Sequence, residues 1–299
     1  MKILVTGAGG FVGRRMTDYF AGQGHEVIGV DRNRPSRLPE GKNLSWIQAD
    51  TTSKGEWQKA VGASDAVINL AGKNIFGRWS EKTKEAILES RVRTTEKVVE
   101  AMAGEKEPLL LSTSAVGYYG DRGDDRLDET EPSGDDFLAR VCIEWENRAN
   151  KAADKGARVA NMRFGLVMGK DGGALKKMLP AFKAFVGGPL GTGKQFMPWI
   201  HIEDLLLAHD FVLSNPDISG PVNCCAPGDV RNEEFAKTLG MVLGRPAVFR
   251  VPRFALAVAM GELGDMVLSS QRAVPAKLVK HGFVFTFPEL QAALEDLLV

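Results

Sequence analysis

Along the first half of the chain, short apolar runs alternate with longer segments whose apolar residues recur every three to four positions. Lys2 to Thr6, Glu26 to Asp31, Leu44 to Gln48, Ala66 to Leu70, Pro108 to Ser112 and Arg158 to Arg163 have strand length and apolar character. Phe11 to Gln23, Ser80 to Met102 and Asp136 to Lys155 carry the helical period, the last ending before Gly156. Such alternation predicts βαβ units and a parallel, doubly wound α/β sheet. Beyond Gly169 the texture changes: glycines and prolines cluster between Gly187 and Pro198, and the stretch after Pro227 is mostly helical with extended pieces at Ala247 to Val251 and Phe283 to Phe287. The expected division is a sheet domain over 1–169, to which a segment at about 195–225 returns, and a substrate-side region over 170–299 with a helical tail from about 248.

Between the first strand and the first helix lies Gly7-Ala8-Gly9-Gly10-Phe11-Val12-Gly13. Gly7 permits the tight strand-to-helix turn, Gly10 lets backbone approach a pyrophosphate, and Gly13 allows the helix to pack closely on the strand. The helix N-terminus then faces the anion. A glycine pattern alone is weak, but a strand precedes this one, an amphipathic helix follows it, and an acid, Asp31, closes the next strand. A Rossmann dinucleotide site is therefore expected. Asp31 would accept hydrogen bonds from an unmodified adenosine ribose, whereas Arg32 and Arg34 would pair with a 2′-phosphate. The two signals conflict; NADP is the first expectation and NAD the alternative, with a solvated loop explaining Arg32, Arg34 and Arg37 if neither holds.

With Thr6 before it, the spacing Gly-x-x-Gly-x-x-Gly resembles that of the short-chain dehydrogenase/reductase superfamily, in particular its extended, epimerase-like branch. Asn69-Leu70-Ala71-Gly72 looks like the family segment that ends the fourth strand and lies along the cofactor, and Asp50 matches the position that contacts adenine. Ser112-Thr113-Ser114 ends the fifth strand as the family's active-site Ser/Thr does. Arg163 to Gly169 and Pro198 to Leu205, which include Trp199 and His201, resemble the signatures around the substrate cleft. Gly172-Gly173-Ala174-Leu175, Gly187 to Gly193 and Ser270 to Pro275 resemble an atypical epimerase-like subfamily ending in a small helical domain of unknown function. The resemblance implies a cofactor set of Thr6, Gly7, Gly10, Phe11, Val12, Gly13, Asp31, Arg32, Asp50, Leu70, Ala71 and Gly72. It also implies a substrate cleft at Ser114, Arg163, Trp199 and His201, and members often dimerise through the helices near 80–102 and 136–155.

The chain departs from that pattern at its chemistry. The superfamily's proton relay is Tyr-x-x-x-Lys, whose ammonium lowers the phenol pKa. The only tyrosines are Tyr19, Tyr118 and Tyr119, and Gln23, Arg122 and Gly123 stand four residues beyond them. At the expected helix, Phe137 and Val141 occupy the relay positions. Ser114, Tyr118 and Tyr119 remain as candidate catalytic hydroxyls, although a phenol with a pKa near 10 and no cation beside it is a poor base at pH 7. His201 is either a titrating cleft group or a histidine bonded to backbone. Asp204 reads as the cap of the helix that begins with Leu205-Leu206-Leu207. Lys73 places a cation after Gly72, where relatives tend to carry Glu. Two readings stand: an NAD(P)-dependent oxidoreductase or epimerase-like enzyme acting on a small polar substrate, and a dinucleotide-binding regulator or scaffold that has lost the chemistry.

Composition narrows the partners. At 299 residues and 44% hydrophobic content the chain can bury a full core. Lys plus Arg equals Asp plus Glu at 38 each, which leaves no overall basic field for nucleic acid or an anionic membrane. The opening run Met1 to Thr6 is too short for a signal peptide and no apolar run reaches about 18 residues, so a cytoplasmic or organelle-matrix enzyme is expected. Cys142, Cys224 and Cys225 lack metal-type spacing and read as reduced core thiols, with no metal expected.

Overall fold

The computed structural model describes residues 1–34, 43–102 and 107–299; Arg37 lies outside the described residues. The strands are β1 (Lys2–Thr6), β2 (Glu26–Asp31), β3 (Leu44–Gln48), β4 (Ala66–Asn69), β5 (Leu109–Ala115), β6 (Arg126–Leu127), β7 (Arg158–Phe164), β8 (Leu166–Gly169), β9 (Trp199–His201), β10 (Gly220–Cys224) and β11 (Arg272–Ala273). The α-helices are α1 (Phe11–Gly22), α2 (Trp57–Gly62), α3 (Glu81–Ala101), α4 (Phe137–Asn150), α5 (Gly173–Lys183), α6 (Ile202–Ser214), α7 (Asn232–Leu243), α8 (Arg253–Met260), α9 (Glu262–Met266), α10 (Ala276–Lys280) and α11 (Leu290–Leu298). Seven strands form one sheet in the order β10-β7-β5-β4-β1-β2-β3, every pair parallel. This is the doubly wound Rossmann arrangement. Its order reverses between β1 and β4, and the crevice at a switch point lies beyond the carboxyl ends of those strands.

Alternation along β1 builds both layers. Ile3 and Val5 are fully buried with Met16 and Phe20 of α1 and Leu205 of α6, whereas Leu4 faces Trp57 and Val61 of α2, Val98 of α3 and Ala149 of α4. Helix α1 forms because Gly13, Met16, Thr17 and Phe20 recur on one buried stripe, and the chain leaves it through Gly24 at φ +85°. Ser80 and Asp136 cap α3 and α4 by accepting from the amides of Thr83 at 3.2 Å and Ala139 at 2.9 Å. The expected helix to Lys155 ends at Asn150, and a short 3-10 turn covers Ala153–Lys155.

The C-terminal region has its own core, in which Met168, Leu175, Phe182, Phe235, Leu239, Leu290 and Leu294 meet. Among the described residues, the expected extended piece Ala247 to Val251 makes only a bridge between Val251 and Leu190, and Phe283 to Phe287 pairs with no strand. The tail straps this region to the loop after β5. β11 pairs with β6, Ser270 Oγ donates to the Gly123 carbonyl at 2.6 Å, and Gln271 Nε2 donates to that of Gly120 at 3.1 Å. The glycines after β8 have a similar purpose: a Cβ on Gly172 would fall 2.3 Å from the Phe11 ring, so the turn there can close over the first residue of α1.

Candidate functional site

The glycine loop turns at Gly7, whose φ of +66° and Cβ position 2.9 Å from the Ala71 backbone exclude any other residue. Gly13 is equally constrained, since a Cβ there would lie 2.2 Å from the Gly7 carbonyl oxygen. Gly10 begins α1 in extended conformation, exposed, with its amide donating to the Gly7 carbonyl at 3.0 Å. Among the described residues no side chain caps that helix, and its first turn carries no acid. The free amides and the positive end of the helix dipole therefore face outward, as an anion site requires. The side chain of Phe11 packs under the Gly169–Gly173 turn, so only its backbone stands at the helix start.

Asp31 takes part in building the loop. Its Oδ2 accepts from the Gly9 amide at 3.1 Å and its Oδ1 from the Asn33 amide at 3.2 Å, while Arg32 and Arg34 are exposed beside it. Asp50, exposed after β3, accepts from the amide and hydroxyl of Thr52, and these bonds hold its carboxyl below the usual range. Across the switch point, the Thr6 hydroxyl donates to Asn69 Oδ1 at 2.7 Å and accepts from the Ala71 amide at 3.3 Å. Asn69 Nδ2 donates in turn to the Thr95 hydroxyl of α3 at 2.8 Å. This buried chain fixes the segment Leu70, Ala71 and Gly72 against the glycine loop. Behind it, Arg91 of α3 packs on Gly72 and donates through Nη1 to the carbonyls of Lys73 at 3.0 Å and Ile87 at 2.9 Å. Its guanidinium lies 5.0 Å from the Trp145 ring, and burial pushes its pKa down to about 10.

At the ends of β5 and β7 the arrangement is closed. Arg163 is 3% exposed and grips Glu146 of α4 with two bonds of 2.8 Å, from Nε to Oε1 and from Nη2 to Oε2. The Ser114 hydroxyl donates to Glu146 Oε1 at 2.7 Å. The Tyr119 hydroxyl receives Arg163 Nη1 at 3.0 Å and lies 2.8 Å from Asn223 Oδ1, to which it donates. Burial alone would lower the Arg163 pKa, but the bonds and charge of Glu146 more than offset it and hold the guanidinium charged. Tyr119 is fully enclosed, and burial raises its phenol far above the ordinary value. Tyr119, expected as a candidate catalytic hydroxyl, is in this structure a core group with filled partners. Tyr118 differs, being only part-buried, with no bond from its hydroxyl among the described residues and the Arg163 guanidinium 3.5 Å over its ring.

The remaining expectations divide. Phe137 packs edge-on against Trp79 at 5.1 Å and Val141 is buried, so both relay positions are apolar in space as in sequence. Trp199, expected in the cleft, is 1% exposed inside the C-terminal core. His201 is also withdrawn from it. Its Nδ1 accepts from the Glu203 amide at 3.2 Å, its Nε2 faces Asp296 at 3.3 Å, and its ring lies 4.0 Å from that of Phe287. Burial lowers its pKa, and as an acceptor at Nδ1 the ring is neutral. It caps α6 in place of Asp204, whose carboxylate instead accepts from the amides of Thr286 at 2.7 Å and Phe287 at 2.9 Å. Glu146 and Arg91 escaped the sequence reading. Their signal was a charged residue on a buried helical stripe, Cys142-Glu146-Ala149 in one case and Ile87-Arg91-Thr95 in the other. All three cysteines are buried and unpaired, and among the described residues no helix is long and apolar enough to cross a membrane.

A seven-stranded parallel sheet, with a glycine loop and an uncapped helix at its switch point, defines a nucleotide-binding protein of the Rossmann class. The chain belongs to the NAD dependent epimerase/dehydratase family, whose model matches residues 3–225, and residues 251–297 match the domain of unknown function DUF1731. It is 41% identical to the epimerase family protein SDR39U1 homolog, chloroplastic, of Arabidopsis thaliana, over 100% of this chain and 87% of that one. Identity to the epimerase family protein YfhF of Bacillus subtilis is 38%, over 100% and 98% of the two chains. The crystal structure of human epimerase family protein SDR39U1 (isoform 2) with NADPH superimposes with a TM-score of 0.87 at 33% identity, over 99% of each chain. The family inferred from the motifs, helical C-terminal domain included, is thus the family found.

Proposed function

We propose that this protein binds NADP(H) and acts as an oxidoreductase or epimerase-like enzyme on a small polar substrate. The observation that carries this reading is the uncapped N-terminus of α1 behind exposed Gly10, with Thr6 and Ala71 fixed beside it. These residues fit a dinucleotide: the pyrophosphate meets free amides, and the glycines leave no side chain in its way. The NADPH in the human relative supports the phosphorylated form, as do Arg32 and Arg34 standing exposed while both Asp31 oxygens hold backbone amides. When bound, the nicotinamide supplies hydride chemistry. Tyr118 is the hydroxyl left to exchange a proton with substrate, since Ser114 is buried and donates to Glu146. Titration with NADPH and NADH, followed by nicotinamide absorbance in the presence of carbonyls, alcohols and sugar nucleotides, tests both halves. No binding of either dinucleotide would sink the reading; tight binding with no absorbance change on any substrate would remove the enzymatic half.

The second reading, a cofactor-dependent regulator or scaffold, is favoured by one observation: Phe137 and Val141 fill the relay positions with apolar contacts. It predicts partners whose capture depends on added NADPH, and identical partners with and without it would exclude this role.

A further inference from the structure

Arg91 of α3 is a part-buried cation with which no carboxylate pairs among the described residues; Glu146, the neighbour of the Trp145 it stacks on, is engaged with Arg163. The two carbonyls on Nη1 and the Trp145 face ease its burial without neutralising its charge. Nε and Nη2 have no acceptor among the described residues. Those two donors are not among the fully buried polar atoms, so a cation fixed by two carbonyls and an aromatic face keeps open hydrogen-bonding positions for an oxygen-bearing ligand.

Its position selects the ligand. Arg91 lies against Gly72 and Lys73, at the carboxyl end of β4 and across the switch point from Asp31 and Arg32. A dinucleotide straddling that crevice lays its adenosine over β1 and β2 and its nicotinamide ribose over β4 and β5. The Trp145 ring under the guanidinium is one helical turn from Val141, where the family's lysine is missing. We propose that Arg91 anchors the nicotinamide-ribose half of the bound dinucleotide, a fixed cation in place of that absent lysine. A guanidinium exchanges no proton near neutral pH, so it supplies charge and hydrogen bonds and leaves acid–base work to another group. The inference rests on the dinucleotide reading above.

Calorimetric titration of wild type, Arg91→Met and Arg91→Lys with NADPH and with adenosine 2′,5′-bisphosphate, which lacks the nicotinamide half, separates the two. Arg91→Met should weaken NADPH about tenfold, the worth of one charge-assisted bond, and leave the bisphosphate within about twofold. Arg91→Lys, which keeps the charge but loses the planar fork, should fall between and decides the matter if the methionine variant does not fold. A merely structural arginine would lower the melting temperature while both ligands kept, or lost, affinity together; that result overturns the proposal. Wild type failing to bind NADPH would instead overturn the dinucleotide reading, and this inference with it.

Discussion

The two sides of the switch point handle polar groups in opposite ways. On the β1 and β4 side, among the described residues, the start of α1 has no side-chain cap, Gly10 is exposed and Arg91 has no acid. On the β5 and β7 side, Ser114, Glu146, Arg163, Tyr119 and Asn223 satisfy one another in a buried network. Groups left open at a crevice are available to a ligand; groups closed on one another hold the fold together. On the proposed reading the open side is the one that would hold the dinucleotide, while apolar Phe137 and Val141 and a self-contained ion pair fill the other side, apart from the Tyr118 hydroxyl.

The largest effect expected from breaking this contrast is on stability. Glu146→Ala would strand the Arg163 guanidinium, 3% exposed, and take a partner from Ser114. Removing one member of a buried pair is expected to destabilise by about 3–5 kcal/mol, read as a shift in the urea midpoint. A loss below about 1 kcal/mol would mean that water reaches the pair and that this side is open too. Next in size is Gly10→Val. The backbone there is extended and an added Cβ meets only the Gly7 carbonyl oxygen, at 3.1 Å, so folding should survive. The branched side chain would stand before the free amides of α1, weakening NADPH about a hundredfold, or about 2.7 kcal/mol. Retained affinity would remove the loop from the binding site.

The neighbouring tyrosines give a finer comparison. Tyr119→Phe leaves Arg163 Nη1 and Asn223 Oδ1 short of a partner inside the protein and should cost about 1–3 kcal/mol of stability. Tyr118→Phe removes a hydroxyl with no bond among the described residues and should stay within about 0.5 kcal/mol of wild type. If Tyr118 exchanges a proton with substrate, that stable variant is the one that loses turnover, once a substrate is found.

Legibility in the sequence followed the range of the interactions. The glycine loop could be read because its demands are local: the turn at Gly7, the close contact at Gly13 and the acid ending β2 fall within one βαβ unit. Phe137 and Val141 were equally plain, since a missing tyrosine and lysine need no structure to be seen. What depended on distant partners stayed hidden. Glu146 lies 17 residues from Arg163 and 32 from Ser114, on a helix where an acid ordinarily faces water. The cap of α6 passed from Asp204 to His201, whose bond to backbone was one of its two expected roles, because the amides that Asp204 holds come from Thr286 and Phe287, over 80 residues away. Trp199 followed a cleft-like motif, but α5, α7 and α11 close around it.

The smaller of the two effects expected at the glycine loop concerns which dinucleotide the open side prefers. Asp31 has two functions that sequence alone could not separate: it ties Gly9 into the loop through a 3.1 Å bond, and its negative charge stands next to Arg32 and Arg34. Asp31→Ala removes both. Loss of the tie should weaken NADPH and NADH alike, because both use the same loop amides. Loss of the charge should help only the ligand that carries a 2′-phosphate. The ratio of the two dissociation constants therefore isolates the electrostatic part, and it should move toward NADPH by about tenfold, or about 1.4 kcal/mol. That shift should shrink as salt is raised, since the charge is near the surface. A ratio that stays fixed while both affinities fall would assign Asp31 to the loop alone and leave the choice of dinucleotide to the arginines.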